Sequence, residues 1–282
     1  CVEITNYKGD DDNKHRNLML SELPTLLFPK GHSRIINDLE SACYGISGLN
    51  ATRRTGEFFK LFLGPERTKS LNDPIPFEHH LVIAVGTGMG VGLMMALPKE
   101  DDFLVLSLEG GHVLLSSAPI NHERKEEESK MLDFVCCDIY GGDHALEYED
   151  LASGRGLEAL YKFFSQDTEK DVPPTLNAKQ ISKKAKEGEP IASKALLYHY
   201  LFIARASANL AICMGAKGIF WAGGNQIHNG EFVKQNREIL YKEFLHHPKR
   251  SWIESVPIYM QIKEFNVNLE GTLHVGRVIL SQ

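Results

Sequence analysis

The sequence predicts an α/β fold, and three observations carry that expectation. Apolar runs of strand length recur at residues 58–63, 82–85, 93–97, 103–108, 218–222 and 256–262. Segments with helical spacing fall between and after them, at 39–46, 124–139, 157–164, 191–214, 231–244 and 268–279. Glycine or proline punctuates most of the joins. Strands alternating with helices are what an α/β layer architecture requires.

In chain order, Cys1 to Tyr7 alternates apolar and polar residues and reads as a short strand. Gly9 to Asn17 is charge-dense and reads as a loop, and Leu18 to Pro29 as a short helix or turn region. Ser33 to Asp38 reads as a brief strand ending in two polar side chains, Asn37 and Asp38, where a helix begins. Leu39, Ala42, Cys43 and Ile46 share one face of that helix. Pro74 and Pro76 mark a loop before the central hairpin. Arg124 to Ile139 is helical, with a charged face from Glu126 to Lys130 expected to be solvated. Gly154 and Gly156 are expected to break the chain before a helix at Leu157 to Phe164. Residues 169–190 read as a lysine-rich surface excursion holding one short helix, Ala178 to Lys186. Ile191 to Met214 is the longest helix and is apolar on several faces, so it should be central. Glu231 to Phe244 reads as one helix. The adjacent His246 and His247 lack an i, i+4 partner and make poor metal ligands.

The 282 residues are 43% hydrophobic and 24% charged, an ordinary globular composition for one large domain or two lobes. A net charge of -6 argues against a nucleic-acid partner. No apolar run approaches the roughly 20 residues of a membrane span, so no membrane partner is expected. The cysteines Cys1, Cys43, Cys136, Cys137 and Cys213 are odd in number and two are adjacent. They read as reduced thiols of a cytoplasmic-type compartment, without zinc-ligand spacing. Leu280-Ser281-Gln282 is not a peroxisomal tripeptide. Because the chain starts at Cys1 rather than methionine, the natural N-terminus is expected upstream, and an organellar or glycosome-like address carried there stays open.

The chemistry centres on Val82-Ile83-Ala84-Val85-Gly86-Thr87-Gly88-Met89-Gly90-Val91-Gly92. A strand, a glycine turn and a second strand would aim backbone N–H groups at one spot, which suits an anion, with Thr87 adding a hydroxyl. The spacing fits neither a dinucleotide fingerprint, since Val91 and Leu93 stand where a third glycine belongs, nor a Gly-Lys-Ser/Thr loop. A ligand-free glycine hairpin explains the stretch as well when it is taken alone. Asp38 alone is explained as a helix cap. His112 alone is explained as a satisfied buried histidine, and Glu149 alone as a surface charge near a helix.

Four stretches together alter that balance. Ile36-Asn37-Asp38-Leu39-Glu40-Ser41, Gly86-Thr87-Gly88-Met89-Gly90, Glu109-Gly110-Gly111-His112, and Tyr148-Glu149 through Ser153-Gly154 with Gly156-Leu157 occur in order. They resemble the bacterial-type glucokinases of the actin-like hexokinase superfamily, and Glu231 to Pro248 resembles the protist branch. The resemblance covers nearly the whole chain. It implies an actin-like ATPase (ribonuclease H-like), two-lobed sugar-kinase fold with a truncated small lobe. Residues 1–48, completed by a C-terminal helix at 266–282, would be the remnant of that lobe, and 49–265 the large lobe.

The resemblance also implies roles. Asp38 would be the general base toward the sugar 6-hydroxyl. Asn37, Asp38, Glu109, His112 and Glu149 would hold the sugar. Gly86, Thr87 and Gly88 would meet the ATP phosphates, and Gly223 and Gly224 would border the adenosine. Glucose and ATP are the implied substrates, a homodimer the implied assembly, and Mg²⁺ the implied ion, with its ligand in an acidic-Gly-Gly-Thr loop that this chain does not contain. The residue chemistry agrees: a neutral polyol needs directional donors and acceptors, and phosphoryl transfer needs an aligned nucleophile, a base and N–H groups at the phosphates. Two other readings stay open here, a non-catalytic sugar-binding sensor or decoy and a kinase for another hexose.

Overall fold

The computed structural model describes residues 2–3, 17–29, 33–65, 73, 75–76, 78–97, 103–166 and 176–280. Two short strands, β1 (Val2–Glu3) and β2 (Asn17–Leu18), pair antiparallel near the start. The rest of the expected strand at 1–7, and residues 9–16 of the expected loop, lie outside the described residues. Residues 33–37 are irregular, so the brief strand expected there is not formed. No described strand pairs with the segment, and its last residue is committed to capping a helix. Asn37 has extended backbone angles and accepts the Leu39 N–H, while Glu40 reaches back to the Asn37 N–H. That capping box opens α1 (Asp38–Ala51).

A single turn, α2 (Thr55–Phe58), leads into β3 (Phe59–Leu63). Then follow β4 (His80–Val85), β5 (Met89–Ala96) and β6 (Phe103–Leu108). The helices α3 (Lys125–Tyr140), α4 (Gly154–Phe164), α5 (Ala178–Lys186) and α6 (Pro190–Met214) come next. After β7 (Gly218–Ala222) lie four short helices: α7 (Gly224–His228), α8 (Gly230–Gln235), α9 (Arg237–Phe244) and α10 (Arg250–Ile253). The strand β8 (Ile258–Gln261) and the helix α11 (Val267–Leu280) complete the described chain.

Six strands form one mixed sheet in the order β3-β8-β7-β4-β5-β6. The pairs β4–β7 and β7–β8 are parallel and the other neighbours antiparallel. Successive side chains on a strand point to opposite faces, and the sheet uses both. Leu81, Ile83, Ile219, Trp221, Ile258 and Met260 face the large core built on α4 and α6. Val82, Met94, Phe220 and Tyr259 face a second core, with Ala42, Cys43 and Ile46 of α1 and Val267 of α11.

The alternating glycines of the central hairpin divide into two jobs. Gly86 and Gly88 lie in the turn, closed by a Gly86 N–H to Gly88 C=O bond of 2.9 Å. Gly90 and Gly92 lie within β5, on the side that faces α1. A Cβ at Gly90 would come within 2.3 Å of Leu39, and one at Gly92 within 2.5 Å of the Cys43 sulfur. Their bareness lets α1 lie directly on the strand, which sets where the helix start projects. Burial pushes the Cys43 thiol up, so it is an inert packing group there.

The α11 helix then packs on α1, with Gly271 against the Ser41 backbone and the Ser41 hydroxyl donating to the Asn268 carbonyl at 2.6 Å. The expected division at 48/49 falls inside α1, whose residues contact both α11 and the sheet.

Three further expectations are corrected. The helix at 231–244 is broken at Asn236, whose side chain donates to the Phe232 carbonyl at 2.8 Å and competes with the backbone ladder. Gly154 and Gly156 do not precede α4 but form its first turn, because Ser153 caps the helix by accepting the Gly156 N–H at 3.1 Å. The charged face of α3 is not all solvated. Glu128 is buried and paired in a fork with Arg205 of α6 at 2.7 and 2.9 Å. Arg205 also binds Glu243 of α9, and Glu243 binds Arg124. Helix α6 is long and apolar enough to cross a bilayer, yet 72% of its apolar window is buried inside the fold.

Candidate active site

The turn between β4 and β5, the start of α1, the turn after β6 and the turn before α4 meet beyond the C-terminal ends of β4 and β7. Between them is a cleft of about 700 Å³. All ten residues singled out from the sequence line it: Asn37, Asp38, Gly86, Thr87, Gly88, Glu109, His112, Glu149, Gly223 and Gly224. They come from five separate segments, so their convergence is a property of the fold and not of local sequence.

Asp38 is the first residue of α1 and is exposed to the cleft. One of its carboxylate oxygens accepts the Leu39 N–H at 2.9 Å, which leaves the other for a ligand. Asn37 spends its Oδ1 on the helix cap at 2.7 Å, so its amide NH₂ is the group available to the cleft.

Glu149 sits on a 3-10 turn (Tyr148–Asp150) and is half-buried. Its Oε2 accepts the Met89 N–H at 2.8 Å, tying it to the glycine turn. Its Oε1 receives Arg155 at 3.4 Å. Gly88 makes this possible, because a Cβ there would lie 2.6 Å from Glu149 Oε2. Asp150, buried one residue on, anchors the turn by accepting the Glu147 N–H at 2.9 Å and the Tyr140 hydroxyl at 3.0 Å. Burial and that bond push the Tyr140 phenol up to about 12.

His112 ends the 3-10 turn Gly110–His112. Its Nδ1 bonds Glu147 Oε2 at 2.7 Å, and Nε2 lies 3.8 Å from Glu109 Oε2. The Glu147 hydrogen bond raises the imidazole above its ordinary value, against a smaller lowering by burial. With Nδ1 held by Glu147, Nε2 is the atom turned to a ligand. The Glu109 side chain is 86% exposed, an unencumbered acceptor at the mouth.

The glycine turn is fixed from behind by the Gly154 N–H, which donates to the Gly86 carbonyl at 2.8 Å. On the other wall Gly223, with φ +102°, turns the chain from β7 into α7. Its N–H donates to Gln261 Oε1 at 2.8 Å. Gln261 is buried, and its NH₂ group donates to the Lys263 and Phe265 carbonyls at 3.0 and 3.1 Å.

A second hollow, about 930 Å³, opens beside the first and shares Gly86, Thr87, Arg155 and Gly224 with it. Lys179, Ser182 and Lys186 of α5 line it, with Asn225 and His228 of α7. Lys179 and Lys186 are exposed, as the sequence reading expected of those lysines, and they also border this hollow. That reading passed over Glu147, Arg155 and Gln261. Arg155 lies inside a matched stretch and Glu147 one residue before it, so their proximity was a usable signal. Gln261 and the α5 residues carried none.

Comparison with known proteins agrees with the geometry. The glucokinase family matches residues 23–276 of the chain. Glucokinase 1 of Trichomonas vaginalis is 31% identical over 284 aligned positions, covering 100% of this chain and 74% of the relative. The crystal structure of Balamuthia mandrillaris glucokinase in complex with glucose is 38% identical with a TM-score of 0.89, over 98% of this chain and 73% of that one. Glucokinase of Leishmania braziliensis, at 24% identity and TM-score 0.79 over 92% and 68%, shares the fold. So does a ROK-family glucokinase of Streptomyces griseus in complex with glucose and AMPPNP, at 17% and 0.55 over 86% and 68%. With a family match across most of its length and the sugar kinase fold around one polar cleft, this chain belongs to the glucokinase family.

Proposed function

We infer that the chain phosphorylates glucose at its 6-hydroxyl using ATP, with Asp38 as the general base. The observation that carries this is the convergence of Asn37, Asp38, Glu109, His112 and Glu149 on the cleft that also holds the Gly86-Thr87-Gly88 turn. The cage offers an amide NH₂, an imidazole Nε2 and carboxylates, a donor and acceptor set suited to a ring of hydroxyls. A site that hydrogen-bonds hydroxyls rejects an analogue lacking one by roughly 10⁴-fold.

The free oxygen of Asp38 takes the proton of the 6-hydroxyl as that oxygen attacks the terminal phosphorus, and ADP departs. Such base assistance contributes about 10²–10⁴-fold. The N–H groups and the Thr87 hydroxyl of the turn receive charge on the phosphoryl oxygens, the principal protein contribution in phosphoryl transfer. The nucleoside occupies the hollow lined by Lys179, Ser182 and Asn225, beyond the Gly223–Gly224 turn. Among the described residues, no cluster of three or more His, Cys, Asp or Glu side chains is arranged to hold a metal ion. They do not form a Mg²⁺ site on their own.

An ADP-release assay against a panel of hexoses tests the reading. Glucose-dependent turnover that outpaces mannose and amino sugars is expected, and Asp38→Asn should lower kcat by about 10²–10⁴-fold with a small change in KM. Glucose binding without any ATP-dependent turnover would favour the sensor reading instead.

A further inference from the structure

Among the buried titratable groups that the mechanism does not use, one touches both substrate regions. His199 of α6 is 1% exposed and lines the second hollow, hydrogen-bonded both to the residue after the Glu149 turn and to the start of α7. Its Nδ1 is 2.8 Å from the Leu151 carbonyl, and its Nε2 is 3.3 Å from Asn225 Nδ2. The hydrogen-bonding roles are forced. A carbonyl only accepts, so Nδ1 carries the proton. An amide NH₂ only donates, so Nε2 is bare. Burial pushes the imidazole down to about 4, which keeps that neutral form across the working range.

Each end of the imidazole serves a different substrate. Leu151 caps the 3-10 turn Tyr148–Asp150, whose middle residue Glu149 faces the sugar cleft and binds the glycine turn through Met89. Asn225 follows Gly223-Gly224 and lines the nucleotide hollow. Its Oδ1 accepts from Asn229 Nδ2 at 2.6 Å, so its amide is fixed at both ends once His199 accepts from it. The relay therefore runs from the sugar-side turn, through one ring, to the nucleotide-side helix.

We propose that His199 is a positioning residue that sets both substrate subsites at once, its Nδ1–H holding the Glu149 turn and its Nε2 holding the Asn225 amide. The proposal rests on the glucokinase reading above. It assigns separable effects to the two ring nitrogens. In His199→Asn the shorter amide can donate where Nδ1 did but cannot reach Asn225. In His199→Gln the longer side chain can accept from Asn225 but leaves the Leu151 carbonyl.

Calorimetric binding of glucose and of ATP to the full chain, with thermal melting as a fold check, separates the outcomes. His199→Asn should weaken ATP by about 3- to 10-fold and leave glucose within twofold, and His199→Gln should do the reverse, as expected for one net hydrogen bond. Imidazole nitrogen NMR on the unmutated protein needs no variant to fold. It should show His199 neutral with the proton on Nδ1, and its resonances should shift on adding either substrate. Equal losses of both ligands in both variants, or a proton found on Nε2, would overturn the proposal while leaving the kinase reading intact. An unmutated chain that binds neither glucose nor ATP would remove that reading, and the proposal with it.

Discussion

A missing side chain governs the sugar site as firmly as any present one. Gly88 faces Glu149 across the glycine turn, and a methyl group there would sit 2.6 Å from Glu149 Oε2. The contact is with a carboxylate already bonded to Met89 N–H, so the acid must give way. Gly88→Ala should therefore cost up to about 10²-fold in glucose kcat/KM, the penalty of a misplacement near 1 Å, with little change in melting temperature. Steady-state kinetics beside a thermal melt checks both halves.

His112 offers a second reading at the same scale. Its pKa is raised above 6.5, first by the Glu147 hydrogen bond. A raised folded value means that the His112–Glu147 pair adds stability below the unfolded value and loses it as pH climbs through the folded one. Glu147→Gln should lower the His112 titration midpoint toward the ordinary value, which an NMR pH titration reads directly. In the native protein the Nε2 facing the sugar should pass from donor to bare acceptor above 6.5. Glucose affinity should show an inflection there that the Glu147 variant displaces downward.

Between elements, the decisive contact is ionic and out of water. Glu128 of α3, Arg205 of α6 and Glu243 of α9 meet with side-chain exposures of 2%, 11% and 1%, and Arg124 completes the group. The Glu128 Oε1 also accepts the Ala118 N–H at 2.7 Å, and Arg205 donates to the Ser116 carbonyl at 2.8 Å. Removing one member of such a cluster leaves charge without a partner and is strongly unfavourable. Arg205→Met should destabilise the fold by about 3–5 kcal/mol in urea denaturation. Replacing all four, Glu128, Arg205, Glu243 and Arg124, with apolar residues of similar volume should recover part of it. The helix pair α1–α11 makes a different kind of contact, uncharged and close, with small residues and the Ser41 hydroxyl at the seam. Gly271→Val would drive a side chain into the Ser41 carbonyl, already 1.7 Å from a Cβ at that position. Loss of activity should accompany loss of stability there, because α1 carries Asp38.

At the scale of the molecule, the α/β class and most elements were legible because period and punctuation are local properties. The helix start beside Asn37 and Asp38, the strands at 82–85 and 103–108, and the long helix to Met214 all declared themselves, although the cap is Asn37 rather than Asp38 and α6 begins at Pro190, one residue before the expected start. The failures have a common cause. Glu128 looked solvated because its partner Arg205 is 77 residues away. The lysines of α5 are solvated as read, but the hollow they border was invisible because it forms only against α4 and α7. Asn236 broke a helix through a side-chain bond that periodicity does not register. Gly90 and Gly92 looked like part of an anion loop, whereas they answer to α1, a helix some forty residues earlier. The site residues were readable only jointly, through four motifs in order; no single one outweighed its plain structural explanation.

The seating of α1 has a further bearing on how the protein is made. Its Ser41 is tied to Asn268, 227 positions downstream, and its Gly45 abuts Val267. During translation the helix bearing Asp38 precedes its partner and must wait, its small-residue flank of Ser41, Gly45 and Gly48 uncovered, until α11 has been made and released from the tunnel. A nascent chain would thus be unable to draw on the cell's nucleotide pool before synthesis of this region is done.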